Sequence, residues 1–296
     1  MSEVVWRPDE ATIERANATR LLRRADAPDW RELVRRSAEE PDWFWPLCVD
    51  DLGIEFSQPW ERVHDDARGP EWTTWFVGGR INIARNCAHR WAARRPAAVA
   101  AVGLGEDGSR REVTFAELSR DVTRLAERLA ALGVQPGDRV AIFLPMSPDV
   151  AIASHAIAHV GAVQVPIFSG FAAPAVAQRL EASEAKVVIT QRTASRRGTS
   201  VPMLEIVEAT GAEVQIVLAP FELDGLPGEL PPREVDAEHP YLLTYTSGTT
   251  GAPKGVVHVQ GGFLVSIARE AAYQTDVKRH DRVHFATDMG WIMGPW

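Results

Sequence analysis

Between Thr114 and Gly133 the apolar residues Leu118, Val122, Leu125, Leu129 and Leu132 recur three or four positions apart, the repeat of one buried helix face. Thr114 followed three residues later by Glu117 supplies a capping box, and Gly133 supplies a stop. Beyond it the period changes. Residues 139–144, 163–167, 186–190, 213–218 and 241–245 are short, mainly apolar runs of strand length. Between them, Ser147 and Pro148 open a helix as N-cap and first helical residue, and residues 174–184 read as another helix. Such alternation with short links predicts an α/β fold, layered sheets flanked by helices, in which the strands at Arg139, Val163 and Lys186 run parallel. Residues 219–239, with Pro220, Pro227, Pro231 and Pro232, read as a loop or linker.

The first 81 residues lack this order. They carry Trp6, Trp30, Trp43, Trp45, Trp60, Trp72 and Trp75 with little regular periodicity, and read as an irregular extension anchored by its rings. Two segments are therefore expected, an extension over residues 1–85 and a domain over 86–296. The chain ends at Trp296 directly after Gly294 and Pro295, with no polar tail, and reads as a piece of a larger protein.

Composition narrows the function classes. The chain has 296 residues, 45% hydrophobic and 24% charged, a profile able to bury a large core. Its net charge of -8 disfavours nucleic acid as a partner, which calls for a basic patch. The most apolar stretch, residues 150–168, is interrupted by Ser154, His155, His159, Gln164 and Pro166, so it reads as buried helix plus strand and not as a membrane span. Cys48 and Cys87 are too far apart for a CxxC motif and too few for a disulfide framework, which fits a reducing, cytoplasmic setting. The first residues hold Glu3, Arg7, Asp9 and Glu10 where a signal peptide would be apolar. His155 and His159 stand four apart on a helix, but without the glutamate of an H-E-x-x-H motif they read as packed or surface histidines, and no residue is assigned to a metal.

The chemistry is concentrated after the strand at 241–245, in Thr246-Ser247-Gly248-Thr249-Thr250-Gly251-Ala252-Pro253-Lys254-Gly255. Glycines let backbone N–H groups turn toward a polyphosphate, the hydroxyls add donors, and Lys254 adds positive charge. Pro253 precedes Lys254 where a Walker A loop requires glycine, which disfavours a P-loop kinase or ATPase. The bland alternative for a Gly/Ser/Thr-rich string is a surface turn.

The string resembles the phosphate-binding signature of the adenylate-forming, AMP-binding superfamily, T-S-G-[ST]-T-G-x-P-K-G, at every fixed position. Residues 75–87 (beginning Trp75-Phe76-Val77-Gly78-Gly79-Arg80), Phe168-Ser169-Gly170-Phe171-Ala172 and Asp288-Met289-Gly290-Trp291 are similar to the acetyl-coenzyme A synthetase branch, as is the Trp-rich extension. The resemblance implies a ligase joining a small carboxylate to coenzyme A at the expense of ATP, with Mg²⁺ beside the phosphates. It implies that Thr246, Ser247, Gly248, Thr249, Thr250, Gly251 and Lys254 bind the ATP phosphates, with Lys254 catalytic.

Residues 189–199 resemble the stretch that holds the nucleotide phosphates of coenzyme A. Arg196 falls on a family arginine; a second would fall at Thr199, where this sequence departs, and Arg197 is the candidate substitute. Plain surface charge is the alternative for both arginines. Trp291, Ile292 and Met293 fall where the family places part of its acyl pocket and coenzyme A tunnel, with a plain aromatic-aliphatic core cluster as the alternative. Many acetate-specific members have Val-Thr in place of Ile292-Met293, so a short acid such as acetate is expected with a longer or branched acid as the alternative. Loading of another thiol acceptor and a non-catalytic nucleotide-binding fragment are the remaining readings. The adenine contacts and the lysine-bearing mobile domain of such enzymes have no counterpart within these 296 residues, so the piece alone is expected to be inert.

Overall fold

The structure is a computed structural model that describes residues 5–246 and 254–296. It divides into two compact units, Met1–Gly79 with Gly262–His284, and Arg80–Gly261 with Phe285–Trp296.

The first unit departs from the irregular extension expected of it. Short helices run over Glu10–Arg15, Asn17–Arg24, Trp30–Glu39 and Pro41–Leu52, followed by an antiparallel pair, Arg62–Asp65 with Thr74–Val77. The reason is scale. Helices of two or three turns are marginal by themselves and are stabilised by packing, so they leave little local periodicity. Here Leu21, Ala25, Leu33, Phe44 and Cys48 form a buried cluster against which Trp43, Trp45 and Tyr273 pack. Asp51, its side chain almost inaccessible, accepts a hydrogen bond from the Tyr273 hydroxyl at 2.6 Å and an ion pair from Arg20 at 2.8 Å. Trp6, Trp30 and Trp72, in contrast, are exposed.

The second unit is the layered α/β body predicted from the strand and helix alternation. Its sheet has six strands: β1 (Arg139–Ile142), β2 (Val163–Pro166), β3 (Val187–Gln191), β4 (Gln215–Ala219), β5 (Pro240–Thr246) and β6 (Lys254–Val259). The spatial order is β4-β3-β1-β2-β5-β6, with the first five strands parallel and β6 antiparallel to β5. The strands at Arg139, Val163 and Lys186 thus run parallel, as expected. Helix α1 (Phe115–Ala131) carries the capping box, with Thr114 and Glu117 bonded reciprocally, and its Leu125 and Leu129 are fully buried. Each such leucine contributes about 1.5–3 kcal/mol. Helix α2 (Pro148–His159) packs on α1 and on β1 and β2. Ser147 occupies its N-cap position, yet its hydroxyl makes no capping bond and is buried without a partner among the described residues.

Helices α3 (Ala173–Ser183) and α4 (Met203–Glu208) supply Val176, Leu180, Met203 and Val207 to a core shared with Ala141, Val165 and Val188 of the sheet and with Phe143 and Ile167 just beyond the ends of β1 and β2. The chain moves from β1 to β2 in one direction and from β2 to β3 in the other. Where strand order reverses, the carboxyl ends of an open parallel sheet leave a crevice suited to ligands. The loop read at 219–239 is mostly irregular, apart from Val235–Asp236, which pairs with Arg80–Ile81. Among the described residues no helix is long and apolar enough to cross a membrane.

Candidate active site

At the carboxyl ends of β1, β2 and β3 lies a cavity of about 600 Å³. Pro145 and Met146 line it after β1, Phe168 and Ser169 after β2, and Ala194 to Arg196 with Val201 after β3; residues 286–288, Trp291 and Met293 complete the wall. The cavity therefore gathers four separate stretches at the reversal point of the sheet.

Asp288 fastens two of them together. One carboxylate oxygen accepts the backbone N–H of Ser169 at 3.1 Å and that of Gly290 at 3.0 Å, and the other accepts the Ser169 hydroxyl. Gly290 is required by close approach: a Cβ there would stand 2.5 Å from both Cα and Cβ of Phe168. The Phe168 ring meets Phe171 edge-on at 5.2 Å and Trp291 at 6.4 Å between centroids. Trp291 remains 63% exposed, so this wall of the cavity is open.

Arg196 stands on a small hairpin that sequence periodicity did not reveal, Ala194–Arg196 against Thr199–Val201. Arg197 and Gly198 form its two-residue turn with φ of 52° and 72°, the left-handed pair of a type I′ turn. The Arg196 guanidinium lies 4.8 Å from the Phe168 ring centroid, a cation–π contact. It also fills the space over Gly170, where a Cβ would come within 1.9 Å of Nη1. Thr199 pairs directly opposite Arg196, so the position where the family arginine is replaced is its cross-strand neighbour.

The structure thus gathers Arg196, Trp291 and Met293 around one cavity, whereas Arg197 and Ile292 do not line it. Thr246 and Lys254 are paired across β5 and β6 and bracket residues 247–253 of the glycine-rich string. Ser247, Gly248, Thr249, Thr250 and Gly251 lie outside the described residues. The pairing of Leu242 with Gln164 brings the carboxyl end of β5 to the same sheet edge as that of β2. Lys254 is exposed there and is not a lining residue of the cavity.

The sequence reading gave no role to Phe168 or Ser169, which line the cavity, or to Glu106, which bonds to the Arg196 hairpin. Ser169 lay within a recognised stretch without a role, and Glu106 carried no signal, because its partners are 89 to 92 residues away.

The two helical histidines belong to a hydrogen-bonded chain inside the unit. His159 Nε2 lies 2.8 Å from the carbonyl of Leu230, and its Nδ1 lies 2.9 Å from His89 Nε2, whose Nδ1 in turn meets the Ser119 hydroxyl at 2.7 Å. A carbonyl can only accept, so the chain runs with Ser119 donating to His89, His89 to His159 and His159 to Leu230. Burial, reinforced by the neighbouring His159, His155 and Arg85, lowers the His89 pKa to about 3. Burial alone lowers that of His155 to about 4.

A family model described as "AMP-binding enzyme" matches residues 88–296, and one described as "Acetyl-coenzyme A synthetase N-terminus" matches residues 30–87. The chain belongs to the AMP-binding enzyme family. Among relatives of this AMP-binding chain, the acetyl-coenzyme A synthetase of Chlorobaculum tepidum is 37% identical over 292 residues, covering 90% of the chain and 43% of that protein. The 3-hydroxypropionyl-coenzyme A synthetase of Sulfurisphaera tokodaii is 35% identical over 289 residues, covering 90% and 44%. The structure of acetoacetyl-CoA synthetase from Streptomyces lividans superposes with a TM-score of 0.92 at 31% identity, over 99% of the chain and 49% of that protein. The AMP-binding chain thus spans less than half the length of these relatives.

Proposed function

We propose that the protein of which this chain forms part is an AMP-forming acid–thiol ligase that converts a short-chain carboxylate such as acetate, ATP and coenzyme A into an acyl-CoA, AMP and diphosphate. The observation that carries this reading is the meeting of Arg196, the Phe168–Ser169 stretch and the Asp288–Met293 stretch around one cavity beside the end of β5.

In the first step a carboxylate oxygen attacks the α-phosphorus of ATP, bound as its Mg²⁺ complex, and diphosphate leaves. A free carboxylate is a poor acyl donor, and the mixed anhydride so formed supplies the leaving group it lacks. Thr246, Ser247, Gly248, Thr249, Thr250, Gly251 and Lys254 act on the phosphates, where donors fixed in advance stabilise the charge gathering on diphosphate. In the second step the coenzyme A thiol attacks the acyl carbonyl and AMP departs. Arg196 binds the nucleotide phosphates of coenzyme A, and Arg197, at the tip of the same turn, stands in for the arginine absent at Thr199. Trp291, Ile292 and Met293 define the acyl pocket. Met293 and Trp291 line the cavity, so discrimination between acids falls first to them.

Residues 1–85 form the extension and 86–296 the start of the AMP-binding domain, a division supported by the boundary between the two family matches at residues 87 and 88. Free thiols at Cys48 and Cys87 fit a cytoplasmic setting.

The test is carboxylate-dependent ATP–diphosphate exchange by the complete enzyme. Lys254→Ala should slow exchange by roughly 10²–10³, the usual cost of removing one such donor, and should slow thioester formation from supplied acyl-adenylate much less. Unchanged exchange would remove Lys254 from the adenylation step.

A further inference from the structure

We propose that Glu106 is a positioning residue for coenzyme A, holding in place the turn that presents Arg196. The proposal rests on the reading of Arg196 as a phosphate ligand.

Glu106 lies in the connection between two antiparallel strands, Val99–Leu104 and Arg110–Thr114, far in sequence from the Arg196 hairpin. Its carboxylate reaches that hairpin at three points. Oε1 accepts the Arg197 N–H at 2.7 Å, while Oε2 accepts the Gly198 N–H at 3.0 Å and the Ser195 hydroxyl at 2.8 Å. These same bonds, the Gly198 and Arg197 amides first and the Ser195 hydroxyl after them, hold the Glu106 carboxyl below the usual range, so the acceptor is charged at neutral pH.

The turn needs such support. Arg197 sits at φ 52°, a conformation a residue with a side chain adopts seldom, and the Asn-Gly or Asp-Gly pair that favours a type I′ turn is replaced by Arg-Gly. Successive N–H groups in a turn of this kind form a concave anion-binding nest. Glu106 fills that nest and fixes the backbone from which Arg196 extends between the Phe168 ring and Gly170. A carboxylate merely placed near two arginines would act in the opposite sense, repelling phosphate.

The experiment compares Glu106→Ala, Glu106→Gln and Arg196→Ala in the complete enzyme. The KM for coenzyme A is measured in thioester formation, and carboxylate-dependent exchange is measured without coenzyme A. Glu106→Ala should raise the KM for coenzyme A about tenfold, a 1.4 kcal/mol loss, with exchange held within about twofold. Glu106→Gln keeps one oxygen acceptor but sets an amide N–H₂ against a donor, and should fall between. Trypsin should cleave after Arg197 faster in Glu106→Ala than in the parent.

A KM unchanged or lowered by Glu106→Ala, with Arg196→Ala still raising it, would overturn the positioning role and leave Arg196 in place. An Arg196→Ala enzyme with unaltered KM would overturn the phosphate-ligand reading and this proposal together. Equal losses in exchange and KM would show general disruption and reject a coenzyme A-specific role.

Discussion

Asp288 and Ser169, 119 positions apart, are joined by two hydrogen bonds, one to the backbone amide at 3.1 Å and one from the hydroxyl. The pair ties two stretches of the cavity wall together, because the stretch after β2 and the stretch ending in Trp291 have no sheet pairing to each other; the carboxylate supplies a polar connection.

Replacing Asp288 should therefore cost stability and site geometry together. Asp288→Ala leaves the Ser169 and Gly290 amides without their acceptor, and partly buried groups so orphaned cost about 1–3 kcal/mol. Urea unfolding of the parent and variant checks this. Asp288→Asn, which keeps an oxygen acceptor, should recover part of the loss; equal losses in the two variants would show that the acceptor is not what matters.

Two glycines near Phe168 should behave differently when changed to alanine. At Gly290 the added Cβ meets Phe168 backbone at 2.6 Å or less, which the chain relieves only by moving, at about 1–3 kcal/mol. At Gly170 the close atoms belong to side chains, the Arg196 guanidinium at 1.9 Å and the Phe168 ring at 2.7 Å, and both can turn aside without moving backbone. Gly170→Ala should thus lower the melting temperature less than Gly290→Ala does, while raising the KM for coenzyme A. A melting temperature that falls as far for Gly170→Ala as for Gly290→Ala would contradict the difference.

The half-buried histidines His89 and His155 predict an acid-side loss of stability. Both His89 and His155 are lowered from 6.5, to about 3 and about 4, so between those values and 6.5 the unfolded chain binds the protons. Stability rises with pH wherever the unfolded state binds more protons, so it should fall as pH drops below 6.5, by up to about 1.4 kcal/mol per unit for each histidine. Nδ1 of His155 is buried without a hydrogen-bond partner among the described residues. His155→Leu should accordingly flatten the dependence between pH 6.5 and 4 without loss at pH 7.5, measured by denaturant unfolding across that range. An unaltered slope would exclude His155 as a contributor.

Local repeats and contiguous motifs were legible without the fold. The heptad-like spacing from Leu118 to Leu129 and the capping box at Thr114 specify α1, since neighbours three or four apart share a helix face. Short apolar runs separated by helices required parallel pairing of β1, β2 and β3, because right-handed crossovers leave few other arrangements. The glycine-rich string at 246–255 was legible as a motif because its residues are consecutive. What only tertiary structure decided depends on contacts without local period. The helices between Glu10 and Leu52 are too short to declare themselves and form by packing around Leu21, Phe44 and Cys48. The hairpin of Arg196 is three residues a side and is held from outside by Glu106. That Trp291 and Met293 share a cavity with Arg196 while Ile292 and Arg197 do not follows from a carboxylate at 288 reaching an amide at 169, a distance in sequence that no periodicity encodes.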